Sequence, residues 1–364
     1  MPRVAMTLEQ CWHRVPGGTA VAAVALAKAL AASDRDGIDV DVIGVAGRHP
    51  TPPPPPFTPP VPYEQLPLRA PWLYEAWHYA RWPAVERATG PVDVVHATTL
   101  AIPPARAPLV VTIHDLAFLH QPDHFTRHGV RFFRRGMELA RKHAALVLCS
   151  SQATFDDCLA NGFPPSQLRL VPLGVSADPA DEDLVEEMRR RHGHYVLWSG
   201  TIEPRKNLPR LLAAFEKVAA LDPDVSLVLT GPEGWHEDLG EPGERVTIAG
   251  FVPDDELRAL YAGAAVYCYP CLLEGFGLPV LEAMVQGTPV VTSAGTSTAE
   301  LAADGAALAV DPLDVDAIAA ALMSVLTDRD LARDLRDAGR RRAVELSWDR
   351  TAELTAAAYA EVAR

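Results

Sequence analysis

Cysteine is scarce in this chain: five residues in 364 (Cys11, Cys149, Cys158, Cys268 and Cys271), too few and too scattered for a disulfide framework. Reduced thiols are the expectation. Positive charge is also short, since 33 Lys+Arg against 47 Asp+Glu leave a formal net charge of −14, which argues against a general electrostatic grip on nucleic acid. Any anionic ligand must then be held locally. No apolar run approaches the ~20 residues that span a bilayer, and the N-terminal MPRVAMTLEQCWHRVPGG has no signal-peptide core, so the expected location is the cytoplasm. No Gly-x-Gly-x-x-Gly follows the first strand and no phosphate loop with Lys-Ser/Thr is present, which weakens dehydrogenase and kinase readings. What remains is an ordinary globular composition, 48% hydrophobic and 22% charged, of a length that suggests about two domains.

Short apolar runs bounded by turn residues predict strands at 4–7, 38–45, 92–96, 109–114, 145–150 and 168–171, with helices over 20–32, 72–88 and 127–143. A segment with nine prolines between Pro50 and Pro62 can be neither helix nor central strand and reads as a stiff surface loop. After 171 the composition changes. A second series follows, with strands at 195–199, 225–230, 246–248, 265–269 and 289–292 and helices over 207–220, 254–262 and 279–286. Alternating strands and helices imply parallel, doubly wound α/β architecture in both halves. The expected domains are 1–175 and 176–346, with 347–364 a helix packing back on the first. Two such Rossmann-like domains would face each other across a cleft at the carboxyl ends of their strands.

The chemistry concentrates in two segments, each placed between a strand and a helix. Glu274-Gly-Phe-Gly-Leu-Pro-Val-Leu-Glu282 sets two carboxylates around a helix start, with Gly275 and Gly277 letting backbone approach a ligand and Pro279 in the first turn. Ionised glutamates accept hydrogen bonds from sugar hydroxyls, while the helix start suits a phosphate. Two solvated glutamates are the plain alternative. Upstream, Ser199-Gly-Thr-Ile-Glu-Pro-Arg205-Lys206-Asn207 presents a forked guanidinium beside a point-charge ammonium, a combination that neutralises a diphosphate.

With these motifs in place, the chain resembles the family-four, GT-B-fold, retaining nucleotide-sugar glycosyltransferases over nearly its whole length. The resemblance rests on GG at 17–18, HD at 114–115, SGTIEPRKN at 199–207, GFVPDDEL at 250–257, EGFGLPVLEAMVQGTPVV at 274–291, GAALAVDP at 305–312 and SWDR at 347–350. It implies Arg205 and Lys206 on the diphosphate, Glu282 on the nucleotide ribose, and Glu274 with the backbone of Gly275, Phe276, Gly277 and Leu278 on the donor sugar. Gly18 and Gly200 would approach the donor, and His114 would stand near the reacting sugar. No metal and no further cofactor are implied. One departure is the turn Ser293-Ala-Gly-Thr-Ser-Thr298, where many relatives carry Gly-Gly-x-Pro-Glu; its Ser-rich form resembles mannose-transferring relatives and puts Thr298 in the phosphate-facing place. GDP-mannose is the donor this favours, with a glycan or small hydroxylic acceptor. A hydrolase or isomerase using the same donor, or a catalytically silent sugar-nucleotide-binding subunit, are the alternatives.

Other patterns carry less. Asp34-Arg-Asp36, Asp222-Pro-Asp224 and Asp314-Val-Asp316 imitate a metal motif but sit at turns and helix starts, where capping accounts for them. Cys268-Tyr-Pro-Cys271 has redox-like spacing without a helix start or a second pair. Trp12 and His13 are candidate acceptor contacts or packing residues. Residues 126–143 carry Arg127, Arg131, Arg134, Arg135, Arg141 and Lys142 against Glu138, with Phe132 and Phe133 among them. Such a helix either contacts an anionic membrane peripherally or turns its apolar residues inward and its arginines to water.

Overall fold

The computed structural model describes residues 1–13, 16–32, 39–232 and 243–363. The chain divides into two compact units, Met1–Gly174 with Trp348–Arg364, and Val175–Ser347.

The first unit is built on β1 (Arg3–Thr7), β2 (Asp41–Ala46), β3 (Tyr63–Gln65), β4 (Val94–Ala97), β5 (Leu109–Ile113), β6 (Ala144–Cys149) and β7 (Leu168–Leu170). They form one sheet in the order β3-β2-β1-β4-β5-β6-β7, and every pairing is parallel. Central strands here are continuous apolar runs, as a sheet covered on both faces requires; Val4 lies opposite Val42 on one side and Val94 on the other. Chain order reverses between β1 and β4, the position at which open α/β sheets bind ligands. The helix Gly17–Ala31 follows β1 and begins three residues before the expected Ala20, with Gly17 at a left-handed φ of 63°.

The second unit holds β8 (His194–Ser199), β9 (Val225–Thr230), β10 (Val246–Gly250), β11 (Val266–Tyr269), β12 (Val290–Ser293) and β13 (Leu308–Val310), again all parallel, in the order β10-β9-β8-β11-β12-β13. Its reversal falls between β8 and β11.

Two differences from the sequence-based expectation have physical causes. The helix expected over 72–88 is broken into Trp72–Glu75, a π-turn Ala76–Ala80 and Glu86–Thr89. Arg81 takes a left-handed φ of 51° and ties its guanidinium to the carbonyls of Trp77, Ile102 and Pro103, and Pro83 cannot continue a helix. Strands β3 and β13 go beyond the expectation, because Tyr63-Glu-Gln65 is mostly polar and Leu308-Ala-Val310 lies in an alanine-rich stretch, so neither shows a strand pattern. The helix Arg127–His143 buries Leu139 and packs Phe132, Phe133 and Met137 against the core, while Arg127, Arg131, Arg134, Arg141 and Lys142 are exposed. Its apolar face is therefore occupied by protein, the second of the two arrangements expected for it. No described helix is long and apolar enough to cross a membrane.

The helix Trp348–Val362 belongs to the first unit. Ala352, Ala356 and Tyr359 join the core of Val4, Met6 and Leu26, the Tyr359 hydroxyl meets His96 Nδ1 at 2.7 Å, and Thr351 Oγ1 donates to the Pro172 carbonyl at 2.8 Å.

Candidate active site

Both signature segments leave the carboxyl ends of the two strands that flank the reversal in the second unit, 200–207 after β8 and 270–277 after β11. Backbone contact joins them, with Leu272 N–H donating to Arg205 O at 2.8 Å. Asn207, in the left-handed region at φ 61°, latches the arrangement by donating its amide to the carbonyls of Pro270 (2.8 Å) and Pro312 (2.7 Å). Asn tolerates that backbone better than most side chains.

Four side chains meet where these loops meet. Glu274 Oε2 accepts from the Tyr269 hydroxyl at 2.8 Å, from Arg205 Nη1 at 3.3 Å, and from Lys206 Nζ in closer contact; Oε1 takes the Gly275 N–H at 3.3 Å. Lys206 also contacts the Tyr269 hydroxyl, with its ammonium 4.8 Å from the ring centre. Arg205 Nη2 pairs with Glu203 Oε1 at 2.8 Å. The basic pair is thus balanced by two carboxylates. Burial alone would raise the Glu274 carboxyl, yet Lys206 and Arg205 hold it down to about 2. Side-chain exposure rises from 8% for Lys206 to 22% for Arg205, so the guanidinium offers the more accessible face of the cluster.

Behind Glu282 lies a second network. The Tyr261 hydroxyl donates to Glu282 Oε2 at 3.0 Å and sits 2.6 Å from Ser199 Oγ, which lies 3.0 Å from the Tyr267 hydroxyl. Donors run in one direction, Tyr267 to Ser199 to Tyr261 to the carboxylate. Burial raises the Glu282 carboxyl, against the Tyr261 bond that lowers it and with Asp254 adding to the rise. Tyr267 stacks on Tyr269 at 6.0 Å, so the two networks share an aromatic wall.

Two glycines are required by close approach. A Cβ at Gly277 (φ 103°) would stand 2.7 Å from Thr298 Cγ2, and one at Gly231 (φ 134°) would stand 1.9 Å from the Gly200 carbonyl oxygen. Gly275, Phe276 and Gly277 are buried and Leu278 half-buried, opening the helix Leu278–Val285 with Pro279 in its first turn. Thr298 departs from expectation. Its side chain is fully buried, its methyl faces Gly277, and its hydroxyl donates to Ser293 O at 3.3 Å, so it serves the turn and presents no side-chain group to a phosphate.

The remaining expected residues lie in the first unit. Gly18 stands in the first turn of Gly17–Ala31, with open space where a side chain would be. His114, just past β5, donates Nε2–H to Thr98 O at 3.2 Å and lines a small depression with Thr98, Thr112 and Leu173. Burial lowers its pKa, keeping the ring neutral. Asp115 does not hold that ring; it caps Ala117 N at 3.0 Å. Trp12 stacks on His49 at 4.6 Å, and His49 Nε2 lies 3.0 Å from Glu9 Oε1, a buried carboxylate that sequence reasoning missed, as it missed Tyr261, Tyr267, Tyr269 and Glu203. His13 bonds the Tyr74 hydroxyl at 2.9 Å. Buried tyrosines on alternate positions of β11 were the available signal, because each hydroxyl must find a partner.

The aspartate pairs act as caps: Asp222 Oδ1 accepts from Asp224 N and Asp314 Oδ1 from Ala317 N, both at 3.0 Å, while 34–36 lie outside the described residues. Cys268 and Cys271 are buried, free thiols pushed up by burial. No group of three or more candidate metal ligands occurs among the described residues.

Residues 16–179 match the family described as Glycosyltransferase Family 4, and residues 182–342 that of Glycosyl transferases group 1. O-antigen chain mannosyltransferase B of Escherichia coli is 33% identical over 282 residues, covering 73% of this chain and 74% of that protein. The MMP alpha-(1->4)-mannosyltransferase of Mycolicibacterium hassiacum is 34% identical over 298 residues, covering 74% and 71%. Among solved structures, Anabaena Alr3699/HepE in complex with UDP and glucose superposes with a TM-score of 0.75 at 18% identity over 99% of this chain and 100% of that one. WaaG, a glycosyltransferase involved in lipopolysaccharide biosynthesis, gives 0.69 at 18% identity, covering 98% and 99%. Those two likenesses are likenesses of fold.

Proposed function

This chain belongs to glycosyltransferase family 4, and from that premise we propose that it transfers mannose from GDP-mannose to a glycan or small hydroxylic acceptor, with retention, without a metal, in the cytoplasm. The observation that carries the reading is the convergence of Arg205, Lys206 and Glu274 at the carboxyl ends of the strands flanking the sheet reversal. Similarity to two mannosyltransferases supports the choice of sugar.

The barrier to glycosyl transfer falls when the charge growing on the leaving diphosphate is stabilised. Arg205 offers a fork of donors and Lys206 a compact charge, and the diphosphate would take up donors that Glu274 now holds. Glu274 Oε1, bonded among the described residues only to its neighbour's N–H, is the oxygen left for a sugar hydroxyl. A carboxylate held near a pKa of 2 by two cations is a weak nucleophile, which favours a front-face displacement. The bond from C1 to the phosphate oxygen breaks, the acceptor oxygen bonds C1 on the same face, and its proton goes to the departing diphosphate. Glu282 Oε1 would accept from the nucleotide ribose while Tyr261 occupies Oε2. Neutral His114 would orient the sugar through Nδ1, since Nε2–H is engaged by Thr98.

A donor screen by released nucleotide, with and without candidate acceptors, tests the reading. Acceptor-dependent GDP release is expected. Release without acceptor would make the protein a hydrolase, and binding without release a silent subunit.

A further inference from the structure

The helix Arg127–His143 ends in Arg141-Lys142-His143, and the left-handed turn at Arg81 brings another guanidinium to its flank. With Arg135, Glu138 and Leu139 these residues line an open depression of about 660 Å³ on the first unit. Four permanent cations (Arg81, Arg135, Arg141 and Lys142) face one carboxylate there, in a chain whose net charge is −14. Glu138 is engaged by Arg135 at 3.2 Å. The other guanidinium partners are carbonyls: Trp77, Ile102 and Pro103 for Arg81, His78 for Arg135 Nε at 3.3 Å, and Asn161 for Arg141 at 3.4 Å. A carbonyl satisfies an N–H donor without cancelling its charge. Among the described residues no carboxylate lies within salt-bridge distance of Lys142.

The groups repel one another. Burial and Arg135 lower the Arg81 guanidinium, and burial with Arg81, Lys142 and Arg135 lowers His143. Such a cluster gains stability when an anion of high charge enters it. Arginine and lysine donors suit phosphate oxygens in particular, and the depression has room for more than one phosphate group.

We propose that Arg135, Arg141 and Lys142 form the wall of an anion site, with Arg81 adding to its field, that takes a diphosphate or terminal phosphate monoester. The phosphate comes either from a soluble phosphorylated compound or from a phospholipid headgroup. None of the residues assigned to the donor takes part, so the proposal stands or falls apart from the transferase reading.

The chain has only four lysines, Lys28, Lys142, Lys206 and Lys217, which makes amine acylation read by mass spectrometry a site-resolved probe. On the full chain, inorganic pyrophosphate at about four times its dissociation constant is expected to slow acylation of Lys142 about fivefold, leaving exposed Lys28 and Lys217 unchanged. Arg141→Gln, which keeps the Arg135 contact to His78, should lose most of that protection, and Arg135→Gln with Arg141→Gln all of it. Phosphatidylcholine vesicles with and without phosphatidic acid separate the sources: protection that needs phosphatidic acid assigns the headgroup, and protection by pyrophosphate alone assigns a soluble compound. Equal acylation of Lys142 throughout, equal slowing at Lys28 and Lys217, or undiminished protection in both variants would overturn the site.

Discussion

Glu274 carries both structure and chemistry, and its two roles separate by pH. Its folded pKa of about 2 lies below its ordinary 4.5, so its ion pairs contribute stability that is full above 4.5 and is lost as pH falls toward 2. Glu274→Gln is therefore expected to lower the Tm near neutral pH by an amount that shrinks to nothing over that window, and parallel melts of both proteins would show it. Lys206→Ala leaves a buried carboxylate short of a partner and should cost on the order of 3 kcal/mol, so its loss of activity must be read beside its stability. Glu282 behaves in the opposite sense, since burial raises its carboxyl and Tyr261 restrains the rise. GDP affinity should fall as pH drops through a value above the ordinary carboxylate range; Tyr261→Phe should move that fall to higher pH, and Glu282→Gln should abolish it. Titrations of GDP binding against pH in the three proteins decide this. An unmoved profile in Tyr261→Phe would reduce Tyr261 to packing.

The helix Leu278–Val285 is positioned by Gly277, whose φ of 103° and 2.7 Å approach to Thr298 Cγ2 leave no place for a side chain. Gly277→Ala is expected to destabilise the loop by about 1–3 kcal/mol, seen as faster hydrogen exchange across 275–301. Adding Thr298→Ser removes the opposing methyl and should restore the steric part while the backbone strain persists. Much of this element was legible beforehand, because strand, glycine turn and proline-led helix follow one another in sequence and Glu274 and Glu282 flank them. The same held for 199–207. The tyrosines behind them were not legible, since Tyr261, Tyr267 and Tyr269 read as ordinary core residues until their hydroxyl partners are known. Glu203 was written inside the motif, but only the folded turn shows it against Arg205. At 72–88 helical periodicity was real but lost to Pro83 and the left-handed Arg81. Thr298, placed by resemblance alone, turned out to face inward because packing against Gly277 claims its methyl.

The chain is assembled so that its last helix returns to its first unit, and the stability of that unit depends on it. Tyr359 supplies the partner of His96 Nδ1, and burial with His114 nearby holds His96 neutral, pushed down to about 3. Tyr359→Phe is expected to cost about 1–3 kcal/mol through the unsatisfied ring nitrogen. Removal of 348–364 should leave Val175–Ser347 resistant to limited proteolysis while the first unit becomes sensitive. Equal sensitivity of both units would contradict that division. In a chain of net charge −14, Arg205 and Lys206 stand together at one site and Arg81, Arg135, Arg141 and Lys142 at another, the end of Arg127–His143. The first cluster is the centre of the proposed reaction. The direct measurement is a proton NMR time course of GDP-α-mannose with a hydroxylic acceptor in excess chelator. GDP release coupled to an α-linked mannosyl product is expected, whereas a β-linked product, or transfer that stops in chelator and resumes with magnesium or manganese, would contradict it.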